Sequence, residues 1–349
     1  MLEKFVVFSD FHANTFSEFS HSDPVYGNSR FSEQIAVLQQ VIDVAEKENA
    51  TILFAGDLFH TRVRVDTLVF NHVYELIANS KQPIIMIKGN HDNITNMIDS
   101  PSSLDPFKYL NNVTVIEGVG KTKTEKGNVI VGACYGQEID YIKSEMAKYS
   151  GDIFMGHMGV SGSLGVGSTE LEGDFSKSDI LELVDKKYEI GLLGHYHRQQ
   201  QLTPKTMYVG NTVPMSFSDS GLIKGFYTFS ITDEHKLKDL EFIPQEYAKG
   251  FLTIDLDKGM TLTEDDTINN YIRIRGNSDD LDLAKSLDKS STGIPDTIRL
   301  ETIKKSSSNN RLEMDDDSDF SPLSFTKAWA KANMPEMEKY LEEEIKEAL

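Results

Sequence analysis

The sequence is poor in cysteine and in long apolar runs. Its 349 residues include one cysteine, Cys134, which excludes an internal disulfide framework and fits a reducing compartment. No apolar run approaches the roughly 18–20 residues of a membrane-spanning helix. The apolar run FVVF near the N-terminus is too short for a signal peptide. We therefore expect a protein of the cytoplasm that has no membrane association.

Basic residues are also scarce. The chain has 35 Lys and Arg against 55 Asp and Glu, which gives a formal net charge of −20 at pH 7. Such a chain repels phosphate backbones, so a polyanionic substrate would need metal ions, a basic patch or a partner protein. The Gly-rich stretch 159–173 lacks the GK[ST] of a P-loop, and the chain itself is not expected to bind ATP.

Apolar runs of strand length alternate with helical patterns. Apolar residues recur at helical spacing in 33–48 and 67–79, and Ser176 with Asp179 predicts the start of a third helix. The predicted strands are 5–9, 51–55, 83–88, 128–133, 152–156 and 189–194. This alternation predicts an α/β domain with a largely parallel or mixed sheet.

Polar clusters end these strands. The clusters read SDFH, GDLFH, GNHD, GHMG and GHYH, and they contain six of the nine histidines. Taken alone, SDFH and GDLFH are typical of turns, GNHD is moderately specific, GHMG carries almost no information, and GHYH is as well explained by an ordinary strand end. Functional residues of open α/β sheets gather at the carboxyl ends of strands, so five such ends together indicate a site.

The residue types in the clusters indicate a metal centre. Carboxylate, amide and imidazole donors without thiolates suit Mn²⁺, Fe²⁺ or Zn²⁺. The candidate ligands are Asp10, His12, Asp57, Asn90, His157, His195 and His197. Seven candidates exceed the needs of one ion, and two ions about 3.5–4 Å apart with a shared carboxylate fit better. On a strand His195 and His197 would face one side and suggest a shared ion. The other five candidates instead favour one ion per histidine.

The ordered set D-x-H, GD, GNHD, GH and GHYH resembles the calcineurin-like metallophosphoesterases. The stretch 27–77 is similar to their SbcD-type nuclease branch, and the resemblance covers roughly 1–245. It implies an α/β sandwich of two mixed β-sheets flanked by helices. The sequence fits a cellular or a bacteriophage version, and the latter would act in the host cytoplasm.

The resemblance also implies the distribution of ligands between two ions. One ion would be held by Asp10, His12, Asp57 and His197. The other would be held by Asp57, Asn90, His157 and His195, with Asp57 as the bridge. The ions would be Mn²⁺, with Mg²⁺, Fe²⁺ or Zn²⁺ as alternatives.

Three further residues receive roles from the resemblance. His91 would donate to the phosphate oxygens as charge develops in the transition state. His60 would orient the nucleic acid or assist protonation of the leaving group. Asp92 would accept a hydrogen bond from His91 and orient it.

The activity implied is an Mn²⁺-dependent 3′→5′ exonuclease on duplex ends and a single-strand endonuclease, acting in DNA end processing, repair and recombination. Two alternatives stay open. One is a phosphatase or cyclic-nucleotide phosphodiesterase acting on small phosphoesters or phosphoproteins. The other is a non-catalytic scaffold, although such proteins tend to lose ligands and this sequence retains all seven.

The C-terminal third has a different organisation. A nuclease domain, 1–245, would precede a small α+β domain, 246–303. The resemblance implies that this second domain is a capping domain that contacts DNA, with Arg273 and Arg275 as its basic positions. These arginines can equally be scattered surface charges. The polar stretch 304–320 predicts a flexible linker, and 321–349 predicts amphipathic helices. By resemblance these helices would dock on an SbcC-like coiled-coil ATPase, within a heterotetramer containing a homodimer of this chain. They can instead fold back on the parent domain.

Overall fold

The computed structural model of this protein describes residues 2–165, 169–260, 263–276 and 298–302. The chain divides into two units, Met1–Ile274 with Thr292–Leu300 and Arg275–Ser291 with Glu301–Leu349. Nearly all described residues belong to the first unit. The predicted linker and terminal helices lie outside the described residues, and the predicted domain boundaries remain predictions.

The first of two large sheets contains both ends of the 1–245 region. Its strands are β1 Glu3–Phe8, β2 Thr51–Phe54, β3 Ile84–Met86, β4 Val113–Val115, β13 Gly225–Ile231 and β14 Leu237–Pro244. They lie in the order β14-β13-β1-β2-β3-β4. Strands β1 to β4 are parallel, whereas β13 is antiparallel to both of its neighbours. The sheet is therefore mixed, with its parallel strands ending at one edge.

The second sheet has the same character. Its strands are β5 Val119–Lys123, β6 Val129–Ala133, β7 Ile153–His157, β10 Ile190–Gly194, β11 Gln200–Gln201 and β12 Thr206–Tyr208. Their order is β11-β12-β10-β7-β6-β5, with the four central strands parallel and the two edge strands antiparallel. The short strands β8 Ser163–Leu164 and β9 Glu170–Leu171 form a separate pair. The expected α/β sandwich of two mixed sheets is confirmed.

Helices follow the sequence patterns closely. The α-helices are α1 Ser29–Glu48, α2 Thr67–Asn79, α3 Ile139–Met146, α4 Lys177–Ile180 and α5 Glu264–Asn269. Short 3-10 helices occupy Asp105–Tyr109, Phe217–Asp219 and Leu256–Lys258, and a π-helical turn, Leu181–Asp185, continues α4. Helix α1 begins before the predicted residue 33 because the Asn28 side chain caps it, accepting from the Phe31 amide at 3.0 Å. Ser176 and Asp179 form the expected capping box.

Alternating side chains of β1 separate two apolar cores. Phe5 and Val7 lie in the core that contains side chains from both sheets, while Val6 and Phe8 pack in the core formed with α1 and α2. All four are at most 2% exposed. Burying such a side chain contributes roughly 1.5–3 kcal/mol. The packed sandwich fixes the strand ends that follow.

A third sheet lies in the region after residue 245. It consists of β15 Gly250–Asp255, β16 Asn270–Gly276 and β17 Ile298–Thr302, in that order. The three strands lie in the segments FLTIDL, YIRIRG and TIRLETI, whose β-branched and aromatic residues favour strands. None of the helices in the described ranges is long and apolar enough to cross a bilayer.

Candidate metal centre

Parallel pairing brings the carboxyl ends of the central strands together. Phe8 of β1 lies opposite Phe54 of β2, and Gly194 of β10 lies opposite His157 of β7. The pairing continues past the first two strands, because the Asp10 amide donates to Gly56 O at 2.9 Å and the His12 amide donates to Asp57 O at 3.0 Å. The loops that carry the candidate ligands therefore run side by side.

The backbone at four candidate ligands is left-handed. The φ angles are +47° at Asp10, +50° at His12, +64° at Asp57 and +102° at His195. Such conformations in residues with side chains cost about 1–3 kcal/mol each and are concentrated at functional sites. Four such residues lie at one edge of the sheets. The direction of their side chains is therefore obtained at the cost of strained backbone conformations.

One group of candidates surrounds His12. Ligand atoms of Asp10, His12 and His197 all lie within 4.8 Å of one another. His12 Nε2 is 3.1 Å from His197 Nε2 and 3.6 Å from Asp57 Oδ2. These are the four residues expected to hold one ion.

The second group surrounds Asn90. Its Oδ1 lies 3.0 Å from His157 Nε2 and 2.9 Å from His195 Nδ1. Asp57 Oδ2 is 3.4 Å from His157 Nε2. The same Asp57 oxygen thus approaches imidazoles of both groups, the placement that a bridging carboxylate requires.

The two histidines of GHYH diverge. Strand β10 ends at Gly194, and His195 has a positive φ, so the rule that residues i and i+2 face one side does not apply here. His195 approaches Asn90, whereas His197 approaches His12. The two imidazoles therefore do not face the same side, as they would on a strand. One histidine of the doublet lies in each group.

Burial and neighbouring charges have opposing effects on the pKa values of the buried candidate ligands. Burial disfavours the ionised Asp57, but the imidazoles of His157 and His12 outweigh it and hold the pKa of Asp57 well below its usual range. Burial likewise disfavours a charged His157, yet the Asp57 carboxylate raises the pKa of His157 to about 9. At Asp10 burial dominates and raises the pKa of that carboxyl. Positive charge at this site, from imidazole protons or from metal ions, therefore stabilises the ionised form of Asp57.

The donors fit divalent ions. They combine carboxylate, amide and imidazole groups, the set that suits Mn²⁺, Fe²⁺ or Zn²⁺. His157 Nδ1 lies 2.8 Å from the Ala55 carbonyl, which can only accept, so Nδ1 carries the proton and Nε2 is left for an ion. Gly89 is required beside Asp57, because a Cβ at residue 89 would lie 2.1 Å from Asp57 Oδ1.

His91 and His60 adjoin the first group. The His91 amide donates to Asp57 Oδ1 at 2.7 Å, and His91 Nδ1 donates to the His60 carbonyl at 2.5 Å. The two rings stack with centroids 5.6 Å apart. Ligand nitrogens of His12, His60 and His91 lie within 4.8 Å of one another. Burial lowers the pKa of His60.

Asp92 has a different role from the one expected. Its carboxylate accepts from the backbone amides of Asp57 at 2.8 Å, Leu58 at 2.9 Å and Gly89 at 2.9 Å. The His91 imidazole instead donates to a carbonyl. Asp92 therefore holds together the two loops that carry Asp57 and Asn90, and the expected orientation of His91 by Asp92 is corrected.

Several supporting residues were missed in the sequence. Ser9 Oγ donates to Asp10 Oδ2 at 2.6 Å, Gln34 Nε2 donates to the His12 carbonyl at 3.2 Å, and the Tyr135 ring stacks on His195 at 5.8 Å. Ser9 could have been noticed as part of SDFH. Gln34 and Tyr135 lie in an ordinary helix and loop, where no local pattern marks them.

The two arginines expected to contact DNA are engaged within the protein. The Arg273 guanidinium lies 4.5 Å from the Phe217 ring centroid and donates to Thr253 Oγ1 at 3.0 Å. Arg275 Nε pairs with Glu301 at 3.0 Å. Their contact with DNA stays a prediction.

Comparison with known proteins agrees with this geometry. The model of the calcineurin-like phosphoesterase family matches residues 3–199. One curated relative, the SbcD subunit of the nuclease SbcCD from Bacillus subtilis (strain 168), is 33% identical over 94 residues. That match covers 26% of this chain and 23% of the relative, so it spans about a quarter of each. The chain belongs to the calcineurin-like phosphoesterase family.

Proposed function

We propose that this chain is a DNA nuclease that hydrolyses phosphodiester bonds with two divalent ions, Mn²⁺ foremost. Its family makes it a metal-dependent phosphoester hydrolase. The observation that carries the finer proposal is the stacked pair of His60 and His91 beside the Asp57 carboxylate. The similarity to a nuclease component over a quarter of the chain supports it.

Two groups of side chains would hold the ions. The first consists of Asp10, His12, Asp57 and His197, and the second of Asp57, Asn90, His157 and His195. Divalent ions held by these residues would supply Lewis-acid polarisation of the phosphoryl group and activation of a water molecule. The buried hydrogen bonds to Asp10, His157 and the loop of Asp57 keep the donors in place before an ion binds.

His91 and His60 act on the substrate. His91 Nδ1 donates to the His60 carbonyl, which fixes the imidazole plane and directs Nε2 to the substrate. With the ring in its imidazolium form, Nε2 also carries a proton and donates to a phosphate oxygen. His60 orients the nucleic acid or protonates the leaving oxygen. Both roles require the two rings to keep their stacked geometry, since a displacement of about 1 Å can cost 100-fold in rate.

The partner proposals follow from the charge and the resemblance. With a net charge of −20, the chain needs added positive charge to hold DNA. A coiled-coil ATPase of the SbcC kind, docked on residues 321–349 outside the described ranges, would supply that surface. We propose a homodimer of this chain within the resulting heterotetramer, acting in the cytoplasm on DNA ends in repair and recombination.

The test compares two substrates with Mn²⁺ present or removed by EDTA. The purified chain is incubated with a duplex labelled at one 5′ end and with bis-p-nitrophenyl phosphate, with and without an SbcC-like ATPase. We expect Mn²⁺-dependent shortening of the duplex, lost in His91→Ala and kept in His235→Ala, a histidine outside the site. Cleavage of the small ester alone under all conditions would refute the nuclease and favour a small-molecule phosphodiesterase.

A further inference from the structure

The segment 210–224 lies across two of the ligand-bearing loops. Thr212 binds the first loop twice, because its amide and its hydroxyl both donate to the Ser9 carbonyl, at 3.2 and 2.8 Å. Ser9 immediately precedes Asp10 and donates to its carboxylate. The Thr212 side chain therefore helps to set the position of Asp10.

The same segment holds the second loop at His197. The His197 carbonyl accepts from the Asn211 amide at 3.2 Å and from Lys224 Nζ at 3.0 Å. Lys224 is 3% exposed and so cannot be satisfied by bulk water. Two buried donors on one carbonyl fix the peptide that carries the imidazole facing His12.

Asp219 keeps Lys224 in this position. Its carboxylate pairs with Lys224 Nζ at 2.8 Å and accepts from the Met215 amide at 2.9 Å and from Asn211 Nδ2 at 3.3 Å. Asp219 is also 3% exposed. A buried ion pair adds little net stability, because the desolvation of both charges offsets their attraction. The pair is therefore better explained by the geometry that it imposes on His197.

We infer that Thr212 and Lys224, the latter held by Asp219, are positioning residues for the ion of Asp10, His12 and His197. The inference rests on the proposed two-ion site. The second ion has a ligand with an anchor of its own, since His157 Nδ1 donates to Ala55 O at 2.8 Å, although the His195 amide donates to Asp10 and links the two groups. Loss of a group that orients a ligand typically costs roughly 10- to 100-fold in metal affinity. The loss here should fall on one ion.

The experiment measures the affinity of each ion for the whole chain separately. Mn²⁺ binding is titrated by calorimetry in a His157→Ala background, which retains the Asp10 ion, and in a His12→Ala background, which retains the other. We expect Lys224→Met and Thr212→Val each to weaken Mn²⁺ binding about 10- to 100-fold in the first background. In the second background neither should change it more than about threefold.

Lys205→Met is the matched control. Lys205 Nζ donates to the Tyr188 carbonyl at 2.8 Å and lies 3.7 Å from Glu189, at the other end of β10. It therefore also links a backbone carbonyl to a carboxylate, but its side chain is 40% exposed and lies away from the ligands. We expect Mn²⁺ binding in Lys205→Met to match that of the unsubstituted background. Circular dichroism checks that each variant is folded.

Each outcome decides between the proposals. Equal weakening of both ions, or unchanged binding in both variants, would overturn the inference. If Lys224→Met does not fold, Thr212→Val decides alone, because it removes one hydroxyl at nearly constant volume. A wild-type chain that binds no Mn²⁺ overturns the two-ion site and the inference together. If the wild type binds two Mn²⁺ ions and the variants bind them with unchanged affinity, only the inference is overturned.

Discussion

Replacing Asp92 by alanine tests how the site is held together. The Asp92 carboxylate is fully buried and accepts three backbone amides, from Asp57, Leu58 and Gly89, at 2.8–2.9 Å. In Asp92→Ala these three donors lose their acceptor inside the protein. We expect a large loss of stability, because the cost of a buried amide without a partner is set by its desolvation.

The magnitude follows from the number of donors. Each unsatisfied buried donor costs about 1–3 kcal/mol, so three would cost about 3–9 kcal/mol. Part of this cost is offset, because water can enter the space that the carboxylate leaves. Burial and the neighbouring Asp57 charge also raise the pKa of Asp92 to about 7, so removing this group relieves some unfavourable energy. We therefore expect the free energy of unfolding to fall by about 3–5 kcal/mol.

The assay is urea unfolding of the metal-free protein in EDTA, with Asp152→Ala as the matched control. Asp152 is a buried carboxylate that accepts from one backbone amide, Val129, at 2.7 Å, and its other oxygen faces His235. Asp152→Ala should cost about 1–2 kcal/mol. If Asp92→Ala costs no more than this, the three amides are not held by the carboxylate, and Asp92 does not join the two loops.

Three further predictions concern the site and the core. Gly89→Ala should abolish Mn²⁺ binding measured by calorimetry, because the added Cβ would lie 2.1 Å from Asp57 Oδ1; retained binding would show that the loop can move aside. His91→Ala should keep both ions and lose about 10²- to 10⁴-fold in turnover of bis-p-nitrophenyl phosphate; loss of an ion in calorimetry would make His91 a ligand instead. Burial raises the pKa of the Cys134 thiol to about 11, so roughly one thiol in a thousand is ionised at pH 8. Native Cys134 should therefore react with dithionitrobenzoate only after unfolding, and rapid labelling of the folded protein would contradict its burial.

Local patterns predicted the elements of the fold well. Helix α2 has the predicted bounds 67–79, and the six apolar runs all contain strands of the two sheets. Local pattern could not predict which strands pair. Strand β13 lies between β1 and β14, and its partner β1 is more than 200 residues away in the chain. Such pairing depends on contacts between distant residues, and the sandwich was expected from the resemblance alone.

The candidate ligands were predictable because Asp, Asn and His occur together in short motifs directly after the predicted strands. The directions of their side chains were not predictable. Left-handed backbone, as at Asp10, His12, Asp57 and His195, is uncommon for any residue other than glycine, although Asp and His adopt it more often than most. No neighbouring residue in the sequence indicates it. The assignment of Asp92 failed for a related reason, since its three amide partners belong to two separate loops.

The sequence by itself determined the α/β class, the order of the strands along the chain and the set of Asp, Asn and His side chains available to metal ions. Only the tertiary structure decided how those side chains divide into two groups, and that the GHYH doublet splits between them. It alone brought Lys224 and Thr212 against His197 and Ser9. The physical reason is that periodicity records which face of an element is buried, whereas a site is formed where the ends of several elements meet, at positions set by the packing of the whole sandwich.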